Sequence, residues 1–330
     1  MAISKDEQAR TEQERQVIPA ALAPKITKAR PWQSLGQALF PYLLILPTFG
    51  FVAAFTIWPT IYAAIQSTIK PARNVKLEAK FVGFQNYLDL FDSSTVIGQE
   101  DNFPLIFTNT LAFVIVVVPT CVILAFLLAL LLNQKFRATA VYRTAIFYPV
   151  LLPLISAASI WAFFFADNFG LLNTVLRGLG LSPLGWTRDP FWALPAIMLV
   201  VIWKQTGFYM IFYLAGLQNL PTDIYEAAQL DGANALQRLL RLTIPLLNGT
   251  TLFVLIIAGV STFQTADPLY VLGLGQPNNR SNLILFYIFQ RFNEPRDLGY
   301  VYAMTILLLA MLLVFTIANF LFLEKRGNYE

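Results

Sequence analysis

The chain contains no histidine and a single cysteine, Cys121, among 330 residues. A Cys/His zinc centre, a haem held by histidine, any histidine-dependent triad and an internal disulfide are therefore all excluded. Charge is almost as scarce. Asp, Glu, Lys and Arg make up 13% of the residues, where soluble domains carry roughly 25%. Hydrophobic residues reach 57% and aromatic ones 14%, too apolar a mixture to coat a surface in contact with water. The net charge of +4 points only weakly to nucleic acid, because membrane proteins are commonly basic through Lys and Arg kept on the cytoplasmic side.

What the sequence does have is long stretches without charge. A helix needs about 20 mainly apolar residues to cross roughly 30 Å of hydrocarbon. Five charge-free intervals meet this length, between Arg30 and Lys70, Asp101 and Lys135, Arg143 and Asp167, Arg241 and Asp267, and Asp297 and Glu324. A sixth, from Phe191 to Leu217, is interrupted by Lys204. The expectation is an all-α integral membrane protein with six helices, at about 40–68, 105–133, 144–166, 191–217, 248–268 and 299–323, and with both termini on one side.

Residues 1–37 read as a polar tail and not as a cleavable signal, and 326–330 as a short C-terminus. With both placed in the cytoplasm, thirteen Lys and Arg fall inside and nine outside. The sharper local signal is Lys135, Arg137 and Arg143, with no acid between them. The expected location is a bacterial or archaeal cell (inner) membrane, multi-pass, with cytoplasmic ends. Two external aromatic stretches, 81–91 and 281–290, are too short to span. In the first, Phe81, Phe84, Leu88 and Phe91 recur at helical spacing, which suits an interfacial helix or a loop packed on the bundle.

The most informative polar segment runs from Pro221 to Leu247 and reads as helix, turn, helix. Asp223 is placed to cap the first helix with Glu226 three residues on, and Asp231-Gly232 supplies the turn. Leu236, Leu239, Leu240 and Leu242 with Arg238 and Arg241 form the second helix, which Pro245 stops at the membrane boundary. Ala227, Ala228 and Ala233 keep one flank thin. Such a knob suits a groove on another protein; read one residue at a time, Glu226 only caps a helix and Gly232 only permits a turn.

Glu226-Ala227-Ala228, Gly232 four residues later, and Leu242-Thr243-Ile244-Pro245 resemble the EAA loop of ABC importer permeases. The fuller run through Asp231, Gly232 and Ala233 is similar to the carbohydrate-uptake branch, in particular the first permease subunit of the maltose or glycerol-3-phosphate type. Phe81 to Tyr87, Trp203-Lys204 with Ala215 to Gln218, and Asp267 to Leu272 carry the likeness over roughly residues 38–325. Gly275-Gln276-Pro277 departs from the usual Gly-Gly-Pro. The resemblance implies a type I permease bundle and a coupling role for the 221–246 loop, carried by Glu226, Ala227, Ala228, Asp231, Gly232, Ala233 and Pro245. It also implies three partners: a cytoplasmic ATPase dimer that uses ATP and Mg, a second homologous permease, and an extracytoplasmic solute-binding protein. The chain itself has no Gly-x-x-x-x-Gly-Lys-Ser/Thr phosphate cradle, so no cofactor is expected on it and no enzymatic activity.

Lys204 stands out in its span, since a mid-membrane Lys costs about 2.5–3.5 kcal/mol on insertion scales unless it snorkels, pairs or meets water. It belongs either near the permeation path or the subunit interface, or to a structural bond with carbonyls or acids. Gln264, Thr265, Asp267 and Tyr270 form a second polar group whose amides, carboxylate and aromatic face suit a sugar, or else a wet interfacial loop. Tyr209, Tyr213, Trp161 and Asn109 are weaker candidates, because aromatics in spans are more often packing or anchors. Two further classes compete with the permease. An ion-coupled secondary transporter calls for ionisable relays in several spans, and a membrane enzyme calls for a clustered catalytic set.

Overall fold

The computed structural model describes residues 31–70, 79–92, 102–134, 138–292 and 298–324. Most of the polar tail, the last six residues, and Lys135 and Arg137 lie outside the described residues. Two compact units divide at Thr60 and Ile61.

In the first unit, α1 (Pro31–Val52) passes through a π-helical turn, Ala53–Ile57, toward α2 (Trp58–Gln66). Proline explains the turn. Pro59 has no N–H for an i−4 bond, and Trp58 instead donates to Ala53 O, one residue further back. The apolar span runs Phe40–Gln66.

The second unit opens with a two-residue antiparallel pair, β1 (Ile69–Lys70) and β2 (Lys80–Phe81), with Ile69 opposite Phe81. Then come α3 (Gln85–Phe91), α4 (Phe103–Asn133), α5 (Thr139–Phe147), a 3-10 turn at Tyr148–Leu151, and α6 (Leu154–Phe164). The short α7 (Leu171–Gly178) precedes the long α8 (Ala193–Gln218). After it stand α9 (Thr222–Leu230), α10 (Ala235–Arg238), α11 (Ile244–Leu246), α12 (Asn248–Phe263) and α13 (Asp267–Val271). The bundle closes with α14 (Ile284–Phe292) and α15 (Leu298–Glu324).

Helices α4 and α8 form the central pair, flanked by α12, which also packs on α15. Their seams are built from small residues, Ala125, Ala129, Ala196 and Ala258 all being buried. Close approach of this kind is how helices associate where lipid is as apolar as leucine. Gly207 of α8 lies so near Ile146 O that a Cβ there would collide with it. Leu313, Val314 and Ile317 of α15 are exposed, as suits a lipid-facing surface. Among the described residues, five helices are long and apolar enough to cross a membrane, and a bent pair makes a sixth when counted as one span.

That bent pair corrects the expected third span. It is no straight helix over 144–166: Thr139–Leu151 and Leu154–Phe164 meet at 102°. Leu152, held extended at φ −76° and ψ 138° ahead of Pro153, marks the break. The fifth span, expected as one helix to 268, ends at Phe263, and α13 restarts at Asp267 with Pro268 in its first turn. The two external stretches also differ from each other. Phe81 is in β2, a turn at Gly83 (φ +59°) intervenes, and only Gln85–Phe91 is helical, with Phe84 and Leu88 exposed. In α14, by contrast, Ile284, Phe286, Tyr287 and Ile288 are buried in the bundle.

Candidate coupling element and transmembrane polar path

The 222–247 segment folds as helix, turn, helix, with each junction closed by local bonds. Helix α9 ends in a Schellman motif: Ala233 N donates to Ala228 O (2.9 Å) and Gly232 N to Gln229 O (3.1 Å). Gly232 sits at φ +79°, open to glycine and strained for other residues. The expected cap at the other end is not there. Pro221 occupies the N-cap position without a side-chain bond, and Asp223 falls inside the first turn, where its charge favours the helix dipole. The capping box instead opens α10: Gln237 N donates to Asn234 Oδ1 (2.8 Å) and Asn234 N to Gln237 Oε1 (2.9 Å).

Pro245 does not stop the second helix. A π-helical turn, Leu239–Thr243, absorbs it, with Ile244 donating to Leu239 O, the same device as before Pro59. The Tyr225 hydroxyl meets Thr243 Oγ1 at 2.9 Å and pins α9 to this turn. Glu226, Ala227, Asp231, Gly232 and Pro245 are exposed, and Ala228 and Ala233 half-buried. Ile224, Leu230, Leu236 and Leu240 are exposed as well, Leu230 to 89%.

Inside the bundle, Lys204 is buried and its Nζ donates to Val150 O at 3.4 Å. The break at Pro153 takes this carbonyl out of the helical ladder, because position 153 offers no N–H. Lys204 thus supplies a donor where the bent span lacks one. Beside Lys204, Trp203 meets Trp161 edge to face, with centroids 5.7 Å apart, and Trp161 Nε1 is buried without a hydrogen-bond partner. Gln264, Asp267 and Tyr270 are exposed at three-residue spacing, and the Tyr270 ring stands on Phe286 at 4.8 Å. Thr265 is buried and donates to Ser261 O.

Helix α6, which carries Trp161, packs both on α8, which carries Lys204, and on α13, which carries Asp267. The structure sets the other candidates elsewhere. Tyr209 and Tyr213 are buried on α8, beside Ser261 and Thr251 of α12. Asn109 Nδ2 donates to Asn279 O (2.8 Å) and Asn282 O (3.2 Å), holding the loop before α14 onto α4.

Sequence reasoning missed two features at the opposite end of the bundle from α9. Asp167 and Arg188 pair at 3.0 Å beside a cleft of about 410 Å³ that Leu272 and Gly273 also line; charges in short external loops were the available signal. Asn173, fully buried, donates to Leu184 O and Asp167 O and accepts from Leu184 N and Trp186 Nε1. Nothing in a lone Asn announces such a knot.

Comparison with known proteins gives these features a setting. Residues 107–326 match the binding-protein-dependent transport system inner membrane component family. The sulfoquinovosyl glycerol transport system permease of Agrobacterium fabrum is 33% identical over 85% of this chain and 89% of its own. The trehalose/maltose transport system permease of Thermococcus litoralis is also 33% identical, over 85% and 92%. A chain of a bacterial alginate ABC transporter, solved with an alginate pentasaccharide-bound periplasmic protein, shares the fold at a TM-score of 0.76 and 22% identity, covering 91% of this chain and 99% of that one. These likenesses favour the permease over an ion-coupled carrier or an enzyme: the chain belongs to the binding-protein-dependent transport system inner membrane components, as a multi-pass permease subunit.

Proposed function

We propose that this permease conducts a sugar or sugar-like solute, and that its 221–246 element is the handle by which a cytoplasmic ATPase drives it. One observation carries the coupling reading: the element is closed by a Schellman motif, a capping box and the Tyr225–Thr243 bond, yet exposes Ile224, Leu230, Leu236 and Leu240. A lever must be stiff within itself and apolar where it is gripped. Glu226, Ala227, Ala228, Asp231, Gly232, Ala233 and Pro245 form this lever. The ATPase dimer, using ATP and Mg, closes on it. A second homologous permease completes the membrane path, and a solute-binding protein delivers the solute from outside. The N- and C-termini are cytoplasmic, in a bacterial or archaeal cell membrane.

A sugar presents hydroxyls and an apolar ring face. Gln264, Asp267 and Tyr270, exposed in a row, offer an amide, a carboxylate and an aromatic face, and Trp161 Nε1 is a donor still unused. The permeases it resembles include ones named for sulfoquinovosyl glycerol, trehalose/maltose and arabinooligosaccharides, which supports the same class, and one named for sn-glycerol-3-phosphate. Closure of the ATPase would tilt the lever and switch the path between inward- and outward-facing states.

Co-purification with ATPase and second-permease subunits, followed by substrate-stimulated ATPase in vesicles that contain the binding protein, tests this. Wild type is expected to assemble and respond. Glu226→Ala and Gly232→Pro are expected to lose the stimulation, Gly232→Pro the more completely because proline cannot adopt φ +79°. Transport by the chain alone down an ion gradient, with no ATPase associating, would overturn the reading.

A further inference from the structure

At the end of the bundle opposite α9, one buried side chain holds two loops in place. Asn173 donates to Asp167 O in the first loop and to Leu184 O in the second, where it also accepts from Leu184 N and Trp186 Nε1. Further bonds fix each loop. Gly170 N donates to Ala166 O (2.9 Å), Arg177 Nη2 to Asn168 O (2.6 Å) and Arg188 N to Gly185 O (3.0 Å). Loops fixed in this way are ordered before any ligand arrives, which removes part of the entropic cost of binding. What they present is the cleft of about 410 Å³, lined by Asp167, Asn168, Phe169, Thr187 and Arg188, with Gly273 on its other side. The cleft lies where the candidate path ends. Helix α6, which carries Trp161, stops at Phe164, and α13, which carries Asp267 and Tyr270, stops at Val271. The residues that follow each helix, 165–169 and 272–273, line the cleft, and Phe165 meets the Trp161 ring at 5.4 Å.

Two charged residues line the cleft, and they cancel: Arg188 Nη1 meets Asp167 Oδ2 at 3.0 Å. Their side chains remain 83% and 36% exposed, so the pair is open and not sealed. A guanidinium carries five N–H donors and a carboxylate about four acceptor sites, of which this contact spends one each. A hydroxyl group can donate to Asp167 and accept from Arg188 without parting them. An anion, by contrast, must compete with Asp167 for Arg188, and a cation with Arg188 for Asp167. Phe169, 72% exposed, adds an apolar face beside the pair. Neighbouring hydroxyls on a ring with an apolar face are the chemistry of a sugar, and the cleft has the volume of a small-ligand site. We propose that this cleft is an outer sugar-binding station: one neutral sugar ring sets its hydroxyls on the Asp167–Arg188 pair and its C–H face on Phe169 before it enters the path beside Trp161 and Asp267. The inference rests on the proposed function, and adds where the solute first meets this permease and which charge state is favoured there.

The test uses the full chain assembled with its partner subunits in nanodiscs. Its one cysteine, Cys121, is buried, so Asn168→Cys places a reactive thiol in the cleft. Val175→Cys, exposed on α7 and outside the lining, is the control. The rate of maleimide labelling is read with maltose, trehalose or sn-glycerol 3-phosphate at matched osmolarity. Maltose and trehalose are expected to slow labelling at 168 and leave 175 unchanged, and sn-glycerol 3-phosphate to protect neither. Asp167→Asn is expected to weaken both sugars about three- to tenfold, the ratio one net hydrogen bond produces, and to let sn-glycerol 3-phosphate protect, because Arg188 is then unpaired. Phe169→Leu, on an exposed position, folds even where Asp167→Asn does not, and is expected to weaken the sugars without admitting the anion. Substrate-stimulated ATPase with the binding protein, read on the same preparations, reports the proposed function separately. Stimulation without protection at 168 overturns the outer station and leaves the importer reading standing; protection without stimulation overturns the importer reading and keeps the sugar site. Equal protection in wild type, Asp167→Asn and Phe169→Leu also overturns the station. So does protection by the solute-free binding protein with none from the sugars, since the cleft would then be a protein contact.

Discussion

The coupling element and the bent span beside Lys204 both accommodate proline and polar groups within a helical chain, and they do so by opposite means. Around Pro245 the repair is local: the chain widens into a π-helical turn, and Ile244 donates one residue further back. Around Pro153 the helix breaks by 102°, and a side chain from another span, Lys204, answers the freed Val150 carbonyl. The bonds that shape 222–247 join residues no more than 18 apart, Tyr225 to Thr243 being the longest. Lys204 reaches across 54 positions and Asn109 across 170. An element built from local bonds can move as a body without unpacking; a bond between spans can change only if the spans move.

Three substitutions sharpen that contrast, in falling order of effect. Gly207→Val drives a branched side chain into the Ile146 carbonyl, where backbone cannot step aside. Destabilisation at the upper end of the usual overpacking range, about 3 kcal/mol, is expected, read as a lower thermal midpoint and loss of monodisperse protein. Normal melting by this variant would break the picture of a tightly seamed crossing. Asn109→Leu strands two loop carbonyls and is expected to cost about 1–3 kcal/mol. Its signature is faster proteolysis between Gly273 and Leu283, with 222–247 unchanged. Asn234→Ala removes half of the capping box and is expected to cost about 1 kcal/mol. Hydrogen exchange should rise in 234–243 only, with the global midpoint unmoved. If it rises across α8 and α12 as well, the element is not the independent body described here.

Legibility followed the same divide. The six apolar stretches were visible because crossing hydrocarbon imposes a length and forbids charge, and five of them are single or nearly single helices. Gly232 was legible because the turn needs a positive φ that glycine alone adopts easily. The cap was misplaced from Asn234 to Asp223, since Asp-x-x-Glu and Asn-x-x-Gln are equally good boxes on paper and Pro221 had already fixed the start of α9. Pro153 lies inside the stretch read as one helix, 144–166, and neither the break, its angle nor its partner was foreseen. Tyr209 and Asp267 were both candidates, Tyr209 the weaker, and packing distinguishes a tyrosine buried on α8 from a carboxylate exposed at the start of α13.

By itself, then, the sequence determined what depends on composition and on near neighbours: a membrane-spanning all-α chain without ATPase machinery, and a short polar knob with its glycine turn. The tertiary structure alone decided which polar group answers which. The bond from Lys204 to Val150 and that from Asn109 to Asn279 each depend on residues distant in the chain meeting within hydrogen-bond distance. Hydrogen bonds demand partners within about 3 Å, and that distance is set by how the helices cross.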